Sequence, residues 1–430
     1  MEQPAFIFLN MTDAATLSPP AAKRMRAHIT KTNFAKRRQH APPTRAEQRE
    51  QRKDQSRLLS ESETPASNQN ITISSTIPTD PNSARGTTIF HKLQELVFLE
   101  GRHSPGSARE AAWFNLISSD PVLTEATLAV AVRHWSPSAP WQLKAYRHSY
   151  EAVHLINQRI MSTGTRTDGV LGAVTTLAFG ATLEQDDVAW NIHVIGLAHM
   201  IKDRKSRSMK PPPSWMTNLI VQDSVNAIFN FPRLYHEHIV EALIDYDDQR
   251  IPIIKRICDS VIQLQEMIES HHQHQFDPTS VAREIEEPLS QLHYEVRALR
   301  ATDDVYVQAT ARAIELVLYL LWPSQSGAHL TLLAGELKEA ICRFPIKGCS
   351  YMNFTSFPLM IGAIAADKDS LPRAWFVDRL TREVRAMQLR GWNRPLSLLQ
   401  NKYNNNNSTL MGRFKALWQE LYYVANELKD

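Results

Sequence analysis

The sequence predicts an all-α fold, in which a basic and largely disordered N-terminal arm precedes a large multi-helix domain. Three observations predict it. Only 14 of the 430 residues are glycine, less than half the usual share of about 7%. Beyond residue 89, apolar residues recur at spacings of three and four, as in packed helices. No alternating apolar and polar run bounded by turn residues is long enough to predict a sheet.

The N-terminal arm is set apart by its charge. Residues 1–60 carry twelve Lys and Arg against five Asp and Glu, a net charge of +7, so that the remaining 370 residues carry −4 within the total of +3. Residues 60–88 are rich in Ser, Thr, Asn and Pro, and cannot bury enough apolar surface to offset chain entropy. We therefore predict an arm and linker over residues 1–88 and a helical domain over residues 89–430.

Four segments of the helical domain carry apolar residues at helical spacing, which predicts that each set packs on one side of its helix. The last is expected to begin at a cap, Ser408. Breaks between helices are predicted at 136–141, 164–169, 210–215, 271–278 and 322–327. The four sets are Leu143, Tyr146, Tyr150, Val153, Ile156 and Ile160; Val170, Val174, Leu177, Ala178 and Ala181; Ile192, Ile195, Leu197, Ala198 and Ile201; and Leu410, Phe414, Leu417, Trp418, Leu421, Ala425 and Leu428.

The cysteines indicate a reducing compartment. Cys258, Cys342 and Cys349 are an odd number scattered along the chain, and no apolar leader precedes the arm. Cys342 and Cys349 are expected to be buried thiols. The most apolar stretch, residues 314–322, is about half the roughly 20 residues that a membrane-spanning helix needs. These observations predict a soluble intracellular protein without a membrane partner.

Common catalytic and metal-binding patterns are absent from the sequence. It contains no Gly-x-Ser-x-Gly elbow, no phosphate loop ending in Lys-Ser/Thr and no His-Glu-x-x-His helix. The histidine clusters at 236–238 and 271–274 lack nearby cysteines, and the second is interpreted as a solvated helix end. Three cysteines cannot form a binuclear zinc cluster, which needs six. No metal and no cofactor are expected.

Paired acids raise one enzyme alternative, a magnesium-dependent isoprenoid diphosphate cyclase. Such chemistry needs carboxylates one helical turn apart that converge on metal ions. The pairs at 186–187, 247–248 and 303–304 are the candidates. Neither of the first two has a carboxylate partner one turn on, so acids near helix starts are the favoured interpretation, and we expect no enzyme.

The basic arm carries the main functional signal. Its two clusters can contact phosphates without recognising a base sequence, or can serve as a nuclear import signal. A solvated flexible tail is the alternative interpretation. Expected partners are therefore nucleic acid or an import receptor. The clusters are Lys23, Arg24 and Arg26, and Lys36, Arg37 and Arg38.

Two stretches resemble the fungal-specific transcription factor domain family, in its members that lack the binuclear zinc cluster. FIFLN followed by KRMRAHITKTNFAKRRQ resembles the family's amino-terminal signature. LGAVTTLAFGATLEQDDVAWNIHVIGLAHMIKDR resembles its central element, and Asp223 stands where the family often has an acid that opens the next helix. The chain has Lys205-Ser206-Arg207 where a Gly-Gly usually follows the arginine. The matching positions of the central element are His193, Gly196, Leu197, Met200, Ile201 and Arg204.

This resemblance implies a fungal transcriptional regulator of the nucleus, whose helical domain serves in regulation and partner contact. Specific DNA recognition would then come from a partner, or binding would rest on the arm's nonspecific charge. A helical scaffold that forms a homodimer through the stripe at residues 410–428 is a further hypothesis. Packing of that stripe on the chain's own core is the favoured interpretation.

Overall fold

The computed structural model describes residues 108–389 and 408–426, apart from short gaps at 136–138, 163–166, 230, 232–236, 245, 247–249, 274–277, 323–325 and 345–348. Across this part of the chain the secondary structure consists of α-helices and one short 3-10 helix, without a strand. The all-α prediction is confirmed. The arm and the predicted boundary at residue 88 lie outside the described residues.

The described part of the chain contains fifteen α-helices, and the 3-10 helix Val225–Phe229 follows the sixth. In chain order they are α1 (Ala108–Ser119), α2 (Pro121–Trp135), α3 (Ala139–Ser162), α4 (Asp168–Glu184), α5 (Asp187–Ser206), α6 (Ser214–Ser224), α7 (Glu237–Ile244), α8 (Arg250–Gln273), α9 (Pro278–Arg300), α10 (Val305–Leu321), α11 (Gly327–Cys342), α12 (Ser350–Phe354), α13 (Phe357–Ala365), α14 (Leu371–Leu389) and α15 (Ser408–Asn426).

Helix α10 lies at the centre of the domain. It contacts α6, α8, α9, α11, α13 and α15, and most of its side chains are buried. A helix that is apolar on nearly all sides is stable only when other elements surround it. The apolar run at residues 314–322, too short to cross a membrane, is therefore the axis of the core. None of the described helices combines the length and apolar composition of a membrane-spanning segment.

The amino-terminal part of the domain depends on close packing between α2 and α4. A Cβ atom at Gly180 would lie 2.7 Å from Cγ2 of Val130, and one at Gly172 would lie 3.2 Å from Cδ1 of Leu123. Glycine at these two positions lets the helix backbones approach more closely than alanine would. The predicted stripe of α4 is buried as expected, although burial continues around most of the helix.

Helix α15 packs on the core of its own domain. Leu410, Phe414 and Leu421 are fully buried, and the Phe414 ring lies 6.0 Å from that of Phe229. Arg373 of α14 pairs with Glu420 of α15 at 2.6 Å. The predicted stripe is confirmed at Leu410, Phe414, Leu417, Trp418 and Leu421, whereas the side chains of Ala425 and Leu428 lie outside the described residues. This packing agrees with the interpretation in which the stripe covers the chain's own core, and formation of a homodimer stays a prediction.

Predictions about burial were wrong in three places. In the α5 set, Ile195 is exposed, whereas Leu197, Ala198 and Ile201 are buried. In α3, Tyr146, Tyr150 and Val153 are exposed, whereas Ile156 is buried. The stripe spans two sides of the helix because Ala145 and Ala152 face the core in place of the tyrosines. Cys342 is exposed at the end of α11, whereas Cys258 and Cys349 are buried, and none of the three is joined in a disulfide.

Candidate functional site

The paired acids cap helices. Asp186 precedes α5, and its side chain accepts a hydrogen bond from the amide of Ala189 at 2.9 Å. Asp304 does the same for α10, accepting from the amide of Tyr306 at 2.9 Å. These carboxylates stabilise helix starts, and the pair at 247–248 lies outside the described residues. No group of three or more His, Cys, Asp or Glu in the described residues could hold a metal ion. Nothing in this geometry favours the cyclase alternative.

The described histidines of the two clusters form no donor set either. The ring of His271 lies 6.3 Å from that of Trp322, and the exposed His238 contacts Glu241 at 3.5 Å on its own helix. His236 and His274 lie outside the described residues, as do all six basic residues of the arm clusters. The arm clusters therefore remain a prediction.

The family motif lies on α5 and faces the domain interior. His193, Leu197, Met200 and Arg204 follow one another at spacings of four, three and four, which places them on one side of the helix. Gly196, Leu197, Met200, Ile201 and Arg204 are buried, and His193 is partly buried. Burial lowers the pKa of His193, opposed by the negative charge of Asp186. The imidazole is therefore neutral near pH 7.

Arg204 fastens three segments together. Its side chain is only 6% exposed and lies 2.8 Å from Oδ1 of Asp168, at the start of α4. Its Nε donates to the carbonyl oxygen of Lys210 at 2.6 Å, and Nη2 donates to that of Pro211 at 3.3 Å. The planar guanidinium can serve several acceptors at once, as a lysine cannot. Arg204 thus holds α4, α5 and the loop before α6 in place.

A tyrosine outside the motif also supports it. The hydroxyl of Tyr246 donates to the carbonyl oxygen of Ile201 at 2.9 Å, and the ammonium of Lys205 lies 5.8 Å from the centre of the Tyr246 ring. Burial raises the pKa of Tyr246, and the positive charge of Arg204 opposes this. Tyr246 and Arg204 therefore both fix the last turns of α5 through hydrogen bonds.

The turn after α5 forms without the usual glycines. The amide of Met209 donates to the carbonyl oxygen of Arg204 at 3.1 Å, and that of Ser208 donates to the carbonyl oxygen of Lys205 at 2.9 Å. This pair of bonds is a Schellman motif, whose left-handed position is most often glycine. Here Ser208 occupies it with φ of 53°. The departure from the family at residues 205–207 leaves the turn intact.

Asp223 lies in the last turn of α6, so the expectation that it opens a helix is wrong. It is buried and accepts a hydrogen bond from Nδ2 of Asn226 at 3.2 Å. Oδ1 of Asn226 in turn accepts from the amide of Phe357 at 3.2 Å. The Asp223–Asn226 pair therefore connects the end of α6 to the start of α13. Its side chains are occupied by structural hydrogen bonds.

Two clefts border Asp223. One has a volume of about 80 Å³ and lies between α6 and the segment around Asn353. Its lining combines side-chain amides, such as that of Asn353, with apolar side chains, such as that of Phe344. The other, of about 220 Å³, is bordered by Lys255 and Cys258 of α8. A hydrogen bond to Asp259 at 2.8 Å is the main reason that the pKa of Lys255 is raised. Lys255 is therefore a charged, paired ammonium and not a nucleophile.

The sequence patterns did not identify three residues that shape this region. They are Asp168, Asn226 and Tyr246. Asp168 had a local signal, since an acid in the first turn of a helix is favourable. Asn226 and Tyr246 bind residues that are distant along the chain, so no spacing pattern could reveal them.

The geometry assigns the motif residues to the packing of a helical domain. No curated protein sequence and no solved structure is significantly similar to the chain. The family model described as fungal specific transcription factor domain matches residues 103–401, which covers most of the helical region. The chain belongs to the fungal specific transcription factor domain family.

Proposed function

We propose that the chain regulates transcription in the nucleus, with the helical domain contacting other proteins and the basic arm mediating nuclear import or nonspecific DNA contact. The observation that carries this proposal is the match to the fungal specific transcription factor domain over residues 103–401. The all-α architecture of the described residues agrees with it.

The arrangement of the motif residues supports a role in binding. His193, Arg204 and Asp223 serve helix packing and buried hydrogen bonds. Residues of this kind keep a domain rigid, and recognition then falls to its surfaces and clefts. The helical domain would act as a platform that presents a surface to partners.

The charge of the arm supports its proposed role. A net charge of +7 over 60 residues attracts phosphates or the acidic groove of an import receptor. Such contacts carry no base specificity. Sequence-specific DNA recognition would come from a partner protein, because three cysteines cannot build a binuclear zinc cluster.

The import role is tested with fluorescent fusions of the full chain. Replacement of Lys36, Arg37 and Arg38 with Ala should lower the nuclear fraction several-fold, because the receptor recognises clustered positive charge. The matched control removes three exposed charges from the helical body, by changing Lys202, Arg382 and Lys415 to Ala. The control should remain nuclear. Equal nuclear fractions for both variants would refute an import role for this cluster.

The DNA-contact role is tested by chromatin occupancy of the tagged chain with and without residues 1–60. An import sequence from another protein is fused to both forms so that both enter the nucleus. Loss of occupancy without the arm would support direct contact, and in vitro binding by the arm should weaken steeply with added salt. Unchanged occupancy would assign chromatin recruitment to the helical domain and its partners.

A further inference from the structure

The smaller of the two clefts beside Asp223, of about 80 Å³, lies at the start of α13. Pro358 and Leu359 of the first turn of α13 line it on one side, and Gln222 of α6 lines it on another. We call it the α13 cleft. Its lining combines polar groups with apolar side chains such as Phe344, a combination that is common in sites for small molecules.

The backbone amide of Leu359 has no hydrogen-bond partner among the described residues. The amide of Phe357, two residues earlier, donates to Asn226. That of Met360 donates to the carbonyl oxygen of Ser356, whose side chain does not cap the helix. Leu359 is only 3% exposed. Unpaired amides at buried residues are rare, because they lose contact with water and gain no acceptor in exchange.

The side chain of Gln222 is the second unpaired group of the α13 cleft. It lies four residues before Asn226, is partly exposed, and forms no hydrogen bond within the described part of the chain. A side-chain amide has one acceptor oxygen and two donor hydrogens. The cleft therefore combines a donor at Leu359 with an acceptor and further donors at Gln222.

The charges around the α13 cleft favour a neutral ligand. Among the described residues that line it, Asp223 is the only one with an ionisable side chain, and its carboxylate repels anions. The start of α13 carries a partial positive charge, which repels cations. A neutral molecule with a strong dipole meets both conditions, because its acceptor end can face α13 while its donor end faces Gln222.

The size of the α13 cleft limits the group that enters it. An enclosed cavity of about 150 Å³ holds benzene, and at the same density about 80 Å³ holds roughly three or four non-hydrogen atoms. This is the size of a carboxamide with the carbon that bears it. The ring of Phe344 stacks on that of Tyr306, with centroids 4.7 Å apart, and so provides a fixed apolar wall for the remainder of a ligand.

We propose that the α13 cleft binds a small neutral molecule through a carboxamide group. The carbonyl oxygen of the ligand accepts from the amide of Leu359, its amide nitrogen donates to the side-chain oxygen of Gln222, and its apolar part packs on Phe344. Such a ligand joins α6 to the start of α13, beside the Asn226 contact. This site goes beyond the proposed function, which concerns the arm and the surfaces that contact partners.

Three probes with the same propyl chain test the charge of the ligand. They are butyramide, butyrate and butylammonium, and ligand-observed NMR on the purified full chain gives their dissociation constants. Butyramide should bind with a dissociation constant on the order of 1–10 mM, as its small size allows, and both ions should bind at least about tenfold more weakly. Equal binding of the three probes, or no binding of butyramide, would overturn the proposal.

The amide of Leu359 can be observed selectively. Isotope labelling of the carbonyl carbon of Pro and the nitrogen of Leu selects the leucines that follow a proline, which are Leu289, Leu359 and Leu396. The signal of Leu359 is assigned by its loss in Pro358→Ala. Saturating butyramide should move this signal downfield, because the amide gains an acceptor, and should leave that of Leu289 in α9 in place. An unmoved Leu359 signal would refute the proposed contact and with it the site.

A pair of glutamine variants locates the second contact. Gln222→Leu should raise the dissociation constant of butyramide about fivefold or more, because a hydrogen bond is lost while the volume of the side chain is kept. Gln158→Leu, at an exposed position of α3, is the matched control and should bind as the wild type does. Gln222 has no hydrogen bond to lose in the free protein, so both variants should keep the wild-type melting temperature. Equal dissociation constants for the two variants would contradict the proposal.

Discussion

The backbone amide of Phe357 donates a hydrogen bond to Oδ1 of Asn226, 3.2 Å away, across 131 residues of chain. The same asparagine donates from Nδ2 to Asp223 at 3.2 Å and to the carbonyl oxygen of Thr355 at 3.4 Å. Beside this contact the ring of Phe357 stacks on that of Phe229, with centroids 5.2 Å apart. One buried amide therefore fixes the start of α13 against the 3-10 helix.

Replacing Asn226 with Ala should lower the free energy of unfolding by about 2–3 kcal/mol, because Asp223 and the amide of Phe357 lose a buried partner. Urea denaturation followed by circular dichroism measures the change. Asn191, exposed on α5, provides the control, and its change to Ala should cost less than about 0.5 kcal/mol. Similar losses for the two variants would mean that the Asn226 network contributes no special stability.

Even a conservative replacement of Arg204 should destabilise the domain. Arg204→Lys is expected to lower the free energy of unfolding by about 2–4 kcal/mol, because one ammonium cannot serve Asp168, Lys210 and Pro211 together in a buried position. Calorimetric melting or urea denaturation would show the loss.

Arg207, three residues further along, is the control for Arg204. It is exposed, directly follows the last residue of α5 and pairs with Asp203 at 3.1 Å, and such i,i+4 pairs contribute about 0.3–0.5 kcal/mol. Arg207→Lys should therefore leave the melting temperature nearly unchanged. A melting temperature for Arg204→Lys that matches this control would show that the buried contacts of Arg204 are dispensable.

Ser208→Gly should stabilise the domain by about 0.5–1 kcal/mol, because glycine adopts the left-handed conformation without the steric cost that serine bears. The free energy of unfolding from urea titration is the measurement. Ser206→Gly, inside the last turn of α5, should have the opposite sign and cost up to about 1 kcal/mol. A loss of stability in Ser208→Gly would contradict the left-handed backbone conformation of Ser208.

The sequence was sufficient to predict the helical character of the domain, four of its helices and five of the breaks between helices. Helical spacing and turn residues are local, so the ends of α2 and α3 and the starts of α4, α9 and α11 lie at or beside predicted breaks. The α15 stripe was also correct, since large residues such as Phe414 and Trp418 have few alternatives to burial.

The side of α3 that faces the core was not predictable from spacing. Tyr150 and Ile156 both belong to the same apolar pattern, yet only Ile156 is buried. The choice depends on how closely α2 approaches, which the small side chain of Ala152 decides. The Asn226 and Tyr246 contacts were missed for the same reason, because they join residues that only the folded chain brings together.

His293 should make the stability of the domain depend on pH. Its ring lies 4.4 Å from that of Tyr319, and its Nδ1 is buried without a hydrogen-bond partner among the described residues. Burial, and to a smaller extent the charge of Arg297, lowers the pKa of His293 from 6.5 to about 4. As the pH falls between these values, the unfolded chain takes up a proton that the folded chain does not, so the stability should decrease.

The His293→Phe variant should lose less stability than the wild type between about pH 7 and about pH 5, because phenylalanine keeps the ring contact with Tyr319 and cannot be protonated. Urea titrations at the two pH values give the difference for each protein. His199→Gln, at an exposed position on α5, is the control and should behave as the wild type does. A full wild-type loss of stability in His293→Phe would contradict this prediction. The variant lacks the imidazole of His293, so protonation of other groups would then have to cause the acid sensitivity.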